Sequence, residues 1–222
     1  MRGTARQVSA TRVALLELKD ERHLVEEGYE LLDEKRMLIA AEIRRELEEH
    51  RRLAATVAAR LDAVRDAFAA ALRRHGLDEL QCLPPWTCPD ARLESTHRPF
   101  LGVDLVTAEL EAGDCGPTST PAFDSAEARQ TVMAHKEALH SIAALAASEV
   151  SLRRLVAEYV RTERRARALE NVLLPEIHAT LRFVEDQLES LDQEEAVRAR
   201  HRGGSRAATG HEADPEHGRP AA

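Results

Sequence analysis

The chain has 222 residues and a formal net charge of −8, with 31 Lys and Arg against 39 Asp and Glu. This charge argues against nucleic acid as the main partner, because phosphate binding needs a cationic surface. Aromatic residues make up only 3% of the chain and charged residues 32%, a balance that favours a long coiled coil with a thin core over a large globular core.

Helix-breaking residues are concentrated in the middle of the chain. Residues 29–75 contain no Gly or Pro, and residues 122–202 contain only Pro175, whereas the span 76–121 holds six of the nine prolines. Gly and Pro are the residues most costly to a helix interior. We therefore predict a mainly α fold, a long antiparallel two-helix coiled coil with a small, partly β head inserted between the helices.

The predicted domain boundaries follow these segments. The first helix ends in a basic turn followed by Gly76, which can take a left-handed cap. The second helix begins where Asp124 or Ser125 can cap its first amides, and a Gly-, Ala- and Pro-rich C-terminus is expected to be disordered. The predicted regions are a shaft helix over 1–75, a head with a short β-hairpin over 76–123, a second shaft helix over 124–200 and a tail over 201–222.

Apolar residues recur at coiled-coil spacing in both helices. In the first helix, adjacent apolar pairs repeat every seven residues. Near the end of the second, steps of four and three residues alternate, as in a coiled-coil seam. The predicted seam comprises Leu24, Val25, Leu31, Leu32, Leu38, Ile39, Ile43, Leu47, Ala54, Val57, Leu61, Val64 and Phe68, then Ile142, Leu145, Leu152, Leu155, Val156, Tyr159, Leu169, Leu173, Ile177, Leu181, Val184, Leu188 and Leu191.

Pro175 lies inside the second predicted helix. Proline removes one backbone hydrogen bond and clashes with the preceding turn, so we expect it to bend or loosen the helix there. The bend is either a tolerated kink or a built-in curvature of the shaft, and the sequence leaves both interpretations open.

The predicted head is strongly acidic. Residues 76–125 carry two Lys and Arg against nine Asp and Glu, a net charge of −7. This acidity suits either a basic partner or simple solubility. The alternation in residues 101–106 predicts a strand, and Trp86, Phe100 and Phe123 are expected to pack the head or, alternatively, to form an exposed docking patch.

Targeting signals and cysteine usage indicate a cytoplasmic protein. The first residues lack the apolar core of a signal peptide, and no stretch approaches the roughly 18 apolar residues of a membrane span. Three cysteines in a reducing compartment predict no disulfide framework. Cys82, Cys88, Cys115 and His97 suggest a zinc site, but they lack a CxxC pair, so incidental thiols are favoured. No catalytic or phosphate-binding motif is present, and no cofactor is expected.

Two separated motifs carry a family resemblance. The first comprises TRVALLELK at 11–19 and GYELLDEKR at 28–36. The second, TERRARALENVLLP at 162–175, combines an arginine pair, Ala-Leu-Glu and a proline five residues on. Both lie on predicted long helices. These two motifs, in this order along the chain, resemble motifs of the D subunit of the V-type and A-type ATPases. The resemblance covers roughly residues 8–75 and 126–195.

The resemblance implies a non-catalytic rotor. The terminal ends of the hairpin would lie inside the ring of catalytic A and non-catalytic B subunits. The head would face the membrane and meet the F subunit and the socket subunit on the proteolipid ring. Rotation would couple ATP synthesis or hydrolysis to proton transport, and the protein would be cytoplasmic and peripheral to the membrane.

Basic residues near the two motifs are candidates for contacts with acidic collar loops of the ring, because segment 153–167 is basic in an otherwise acidic half of the chain. For each of them, ordinary solvated helix charge is the alternative. For the whole chain, the alternatives are a homodimeric coiled-coil scaffold or adaptor unrelated to the ATPase and, less favoured, an enzyme with a helical-bundle site. The candidate contact residues are Arg12, Lys19, Arg164, Arg165 and Arg167.

Overall fold

A computed structural model describes the backbone of residues 9–209 and the side chains of residues 9–201. It is mainly α with a small β region between long helices, as the sequence predicted. The elements in chain order are α1 (Arg12–Gln81), β1 (Trp86–Thr87), β2 (Arg92–Phe100), β3 (Val103–Glu111), β4 (Gly116–Pro117), α2 (Ala126–Ala168), a π-helical turn (Leu169–Leu173) and α3 (Leu174–Thr209).

Side-chain caps begin the two main helical segments. The hydroxyl of Thr11 accepts the N–H of Ala14 at 3.1 Å, and the hydroxyl of Ser125 accepts the N–H of Ala128 at 3.1 Å. Each cap satisfies a donor that the first helical turn leaves unpaired. Of the two predicted caps of the second helix, Ser125 is therefore the one used. Gly76 interrupts α1 with a φ of 72°, and α1 resumes beyond it.

The chain divides into two compact units, which are described separately. The first unit contains the described residues up to Leu31 and those from Ala166 onward. Within it, Lys19 of α1 lies 3.2 Å from Glu185 of α3, and α1 and α3 share an apolar core. The buried residues of this core are Leu18, Val25, Ile177, Leu181 and Val184.

The second unit, Leu32–Arg165, contains the rest of α1, the β region and α2. Ion pairs between α1 and α2 join Lys35 to Glu158, Arg60 to Glu137 and Arg74 to Glu127. The α2 partner number falls as the α1 number rises, so the two helices are antiparallel, as predicted. The core of this unit joins both helices to the β region and comprises Ile39, Val103, Leu105 and Leu155.

The predicted apolar pairs of α1 divide their members between the core and the surface. Val25 and Ile39 are buried, whereas their neighbours Leu24 and Leu38 are exposed. Adjacent positions on a helix point about 100° apart, so only one member of each pair can face the partner helix.

The predicted seam is wrong farther along α1. Leu61 and Phe68 are exposed, whereas Ala67 and Ala71 are buried. An α-helix drifts by about 20° per heptad relative to a strict seven-residue repeat, which moves neighbouring positions into the interface. Small side chains also let the two backbones approach. Other predicted seam residues that are exposed are Leu31, Ile142, Val156 and Leu191.

The strands β2 and β3 form an antiparallel hairpin with nine paired positions. Its two turn residues, Leu101 and Gly102, have φ values of 48° and 85°, the conformation of the tight turn that matches the twist of a hairpin. The strand predicted for residues 101–106 is therefore wrong at its first two positions. The strand begins at Val103, because residues 101 and 102 reverse the chain direction.

The hairpin packs on α2 through its second strand. Val103 and Leu105 are buried in the core, and the hydroxyl of Ser151 bonds twice to Val106. That hydroxyl accepts the Val106 N–H at 2.8 Å and donates to the Val106 carbonyl at 3.0 Å. Ser151 thus satisfies both backbone groups of Val106.

The expected absence of a disulfide is wrong, because Cys88 and Cys115 are joined by one. The short strands β1 and β4 pair Trp86 with Pro117 and Thr87 with Gly116. Continuing this antiparallel register by one position sets Cys88 opposite Cys115. Residues separated by 27 positions meet because the chain folds back on itself, a relationship that cysteine counting does not reveal.

A π-helical turn ends just before Pro175, and the helical backbone continues through α3. At the end of this turn, the N–H of Leu174 bonds to the carbonyl of Leu169, five residues back. Such turns are typical of sites where the regular helical ladder is interrupted, and proline supplies an interruption because it has no N–H. The curvature expected at Pro175 stays a prediction.

Helix α3 continues to Thr209. The helix includes the first nine residues of the predicted tail, and the disorder expected from residue 201 onward stays a prediction. The rest of the predicted tail, residues 210–222, lies outside the described residues.

Candidate functional site

Two of the candidate contact residues lie on α1 in the first unit and face acidic residues of α3. Arg12 lies 3.2 Å from Asp192, and Lys19 lies 3.2 Å from Glu185. The Arg12 side chain is 81% exposed and that of Lys19 is 45% exposed. Exposed ion pairs stabilise a fold by only about 0–1 kcal/mol, so neither pair contributes much to the stability of the first unit.

Arg164 and Arg165 are adjacent and exposed near the end of α2, in the second unit. The hydrogen bond from Lys35 is the main cause of the lowered pKa of the Glu158 carboxyl, to which the positive charge of Arg165 also contributes. Both arginines lie on a regular helix, where adjacent positions point about 100° apart. They form an exposed pair of cations suited to an acidic loop.

Other arginines of the basic segment make contacts within the second unit. Arg154 donates to the backbone carbonyl of Asp104 at 2.7 Å and thereby ties α2 to the β-hairpin. Arg161 pairs with Glu158 at 3.2 Å. The segment therefore combines structural arginines with the exposed pair at 164 and 165, a division that sequence position alone does not show.

Arg167 is exposed and belongs to the first unit, just before the π-helical turn. In this unit the two family motifs come together. A Cβ atom on Gly28 of the first motif would lie 3.8 Å from Leu169 of the second. That distance is an ordinary van der Waals contact, so α1 packs at Gly28 against the π-helical turn that contains Leu169.

A hydrogen-bonded network closes the base of the head, and sequence reasoning missed it. The hydroxyl of Ser125 lies 2.8 Å from Nε2 of His75, and Nδ1 of His75 lies 3.2 Å from Glu79. The His75 ring stacks on Phe123 with centroids 5.1 Å apart. The order Ser–His–Glu matches that of hydrolase triads, but the Ser125 hydroxyl caps α2. We interpret the network as a clamp between the end of α1 and the start of α2.

Next to this network lies a pocket of about 410 Å³ with mainly apolar walls. Two of the three head aromatics, Trp86 and Phe123, line it, whereas Phe100 packs against the core of the second unit. Trp86 is 39% exposed. The pocket wall comprises Leu80, Leu83, Pro84, Trp86, Pro117, Pro121, Phe123, Asp124, Ser125, Ala128, Arg129 and Val132.

The bonding of the head cysteines contradicts the zinc interpretation. Cys88 and Cys115 are bonded to each other, and Cys82 is an exposed free thiol. Throughout the described part of the chain, no three His, Cys, Asp or Glu side chains are grouped to hold a metal ion. Over the same residues, no helix combines the length and apolar character of a membrane span.

The arrangement offers protein-binding surfaces: exposed cations on both units and an apolar pocket in an acidic head. Residues 14–202 match the family model that describes the D subunit of ATP synthase. The V-type ATP synthase D subunit of Thermus thermophilus is 30% identical over 96% of this chain and 95% of its own length. The V-type ATP synthase D subunit of Thermotoga neapolitana is 25% identical, covering 86% of this chain and 94% of its own.

A relative from an A-type ATP synthase gives a similar match. The A-type ATP synthase D subunit of Pyrococcus furiosus is 29% identical over 86% of this chain and 91% of its own length. These matches give no support to a coiled-coil scaffold unrelated to the ATPase. The chain belongs to the family of ATP synthase D subunits, and it is a non-catalytic central-stalk component of a V/A-type rotary ATPase.

Proposed function

We propose that this central-stalk protein turns inside a ring of A and B subunits, with its chain termini in the ring and its β-containing head toward the membrane. There the head meets the F subunit and the socket subunit of the proteolipid ring, and the protein lies on the cytoplasmic face. The observation that carries the proposal is the family match over residues 14–202, which spans both long helices and the head.

A rotor must transmit torque without unwinding. The second unit meets this need with a core that joins α1 and α2 to the hairpin and with ion pairs distributed along the two helices. In the first unit, α1 and α3 pack through a seam that alternates steps of four and three residues. Each unit therefore carries cross-links between antiparallel helices, and these resist relative sliding.

The exposed cations are the proposed contacts to the ring. Arg164 and Arg165 present two adjacent charges on a regular helix, and Arg12 and Lys19 add charges on α1. Arg167 extends the cationic set beside the π-helical turn. Acidic loops at the inner rim of the ring are the complementary surface. Because rim charges act mainly on encounter and register, their loss is expected to weaken coupling more than folding.

Reversal of the arginine pair tests this contact. We expect Arg164→Glu with Arg165→Glu to leave the isolated chain folded but to lower ATP-driven proton pumping of the reconstituted complex at least several-fold. The matched control is Arg51→Glu with Arg52→Glu, an adjacent exposed pair on α1. Equal pumping by both double variants and the unmodified complex would rule out the contact role of Arg164 and Arg165.

Recovery of the complex tests the function itself. An affinity-tagged chain expressed in its native host should co-purify with A, B and F subunits, whereas the purified chain alone should hydrolyse no ATP. Recovery as a self-associated oligomer without any of these subunits would overturn the rotor proposal.

A further inference from the structure

The disulfide joins the base of the head ribbon, which is the pair of antiparallel segments from 86 to 92 and from 111 to 117. Cys88 directly follows β1, and Cys115 directly precedes β4. The two segments of the ribbon lie close together beside the disulfide. A Cβ atom on Gly113, which has a φ of 55°, would lie only 2.8 Å from the side chain of Asp90. Because Gly113 has no side chain, the two segments can approach each other closely at Asp90, two residues from the disulfide.

Apart from the disulfide, few interactions hold the ribbon base closed. The strands β1 and β4 have two residues each, and Pro117 offers no N–H to the ladder. One further backbone bond joins the Thr118 N–H to the Pro85 carbonyl at 2.9 Å. By contrast, β2 and β3 pair at nine positions, and β3 is packed on α2. Two short strands alone are marginal in water, so the disulfide adds a covalent link to a weakly paired base.

The same base forms one wall of the apolar pocket. Trp86 of β1 and Pro117 of β4 are paired with each other, and both line the pocket. The opposite side is held independently by the His75–Ser125 hydrogen bond and by the ion pair between Arg74 and Glu127. Breaking the cross-link would therefore release one wall of the pocket and leave the other in place.

The disulfide is accessible to reagents in solution. Cys88 is exposed and Cys115 is partly exposed, and accessible disulfides are the ones that exchange readily with thiols. On the cytoplasmic face, a location that belongs to the proposed function, glutathione and dithiol proteins keep most thiols reduced. Disulfides that do form in that compartment are usually transient or redox-sensing.

We propose that the Cys88–Cys115 disulfide is a reversible redox switch that controls the pocket wall formed by Trp86 and Pro117. A thiolate of a dithiol reductant attacks one sulfur of the cross-link, forms a mixed disulfide and expels the other cysteine as a thiolate. The second thiol of the reductant then displaces the first cysteine. Two electrons and two protons pass to the cysteine pair, and the reductant leaves as its own disulfide.

The purified full chain tests the switch with dithiothreitol as the reductant. Thiol titration should find one free thiol, Cys82, before treatment and three afterwards. The emission of Trp86, the single tryptophan, should shift to longer wavelength as the wall opens. It should return when oxidised glutathione re-forms the cross-link and is itself reduced to two thiols. Hydrogen exchange should accelerate at least tenfold in residues 86–88 and 115–118 and remain unchanged in β2 and β3.

Two variants make the test specific. The double variant Cys88→Ser with Cys115→Ser should show the emission and hydrogen exchange of the reduced chain, and dithiothreitol should not change them. The Cys82→Ser variant should respond to dithiothreitol as the unmodified chain does. Unchanged emission and exchange on reduction would overturn the proposal, and so would an equal response by the double variant. Because the isolated chain is measured, failure of the switch leaves assembly with A and B subunits untouched. Failure to assemble would refute the proposed function while leaving the thiol chemistry measurable.

Discussion

Lys35 of α1 donates a 2.7 Å hydrogen bond to the carboxylate of Glu158 on α2, across 123 positions of sequence. The two side chains are mostly buried, at 27% and 13% exposed. Arg161 and Arg165 add positive charge around the same carboxylate. This pair is a largely buried polar link between the two helices of the second unit, and burial limits competition from water and screening by salt.

The link makes stability depend on pH. The Lys35 hydrogen bond holds the pKa of Glu158 below its ordinary value of 4.5. The stabilisation is therefore complete above pH 4.5 and is lost as the pH falls through the lower folded-state pKa. We expect Glu158→Gln to reduce the free energy of unfolding by about 1–3 kcal/mol at pH 7 and to flatten its acid dependence, as measured by urea unfolding from pH 3 to pH 7.

The control for this pair is Glu149→Gln, which removes the exposed partner of Arg153 on the same helix. It should change stability by well under about 1 kcal/mol. Equal changes in the free energy of unfolding for the two substitutions would show that the Lys35–Glu158 pair stabilises the fold no more than an exposed pair does.

Leu155 and Val156 are neighbours with opposite environments. Leu155 is fully buried, whereas Val156 is 47% exposed. Leu155→Ala should lower the free energy of unfolding by about 2–5 kcal/mol, because it leaves a cavity against Ile39 and the hairpin. Val156→Ala should cost less than about 1 kcal/mol. Chemical denaturation measures both, and a larger cost at position 156 would contradict the observed packing.

Ser151 is the polar tie between α2 and β3. Replacing it with alanine leaves the N–H and carbonyl of Val106 without their side-chain partner, a loss of about 1–3 kcal/mol for buried groups. We expect faster hydrogen exchange at Val106 in Ser151→Ala, detected by mass spectrometry or NMR. Ser190→Ala, at an exposed position on α3, should leave that exchange rate unchanged.

The hairpin turn carries a residue that is poorly suited to its backbone. Leu101 has a φ of 48°, a left-handed conformation that costs a branched residue about 1–2 kcal/mol, whereas asparagine tolerates it. Leu101→Asn should raise the thermal midpoint. Gly102→Ala, at a φ of 85°, should lower it by a comparable free energy. The opposite order of midpoints would contradict the assigned turn.

Local sequence determined much of this protein. The absence of breakers in residues 29–75 predicted a long helix, and the serine at 125 supplied a cap. These features depend on neighbours three or four positions away, so a linear pattern contains them. The motifs at 11–36 and 162–175 likewise led to the family of ATP synthase D subunits, which the family match confirmed.

Only the tertiary structure decided which residues meet across the chain. It selected Val25 over Leu24 for the core, set Cys88 opposite Cys115 and placed Trp86 beside Phe123 in a pocket. Each of these choices depends on strand register or helix rotation, where a shift of one residue exchanges buried and exposed side chains. Sequence periodicity specifies a face only to within about one residue, and the packing of distant segments fixes the remainder.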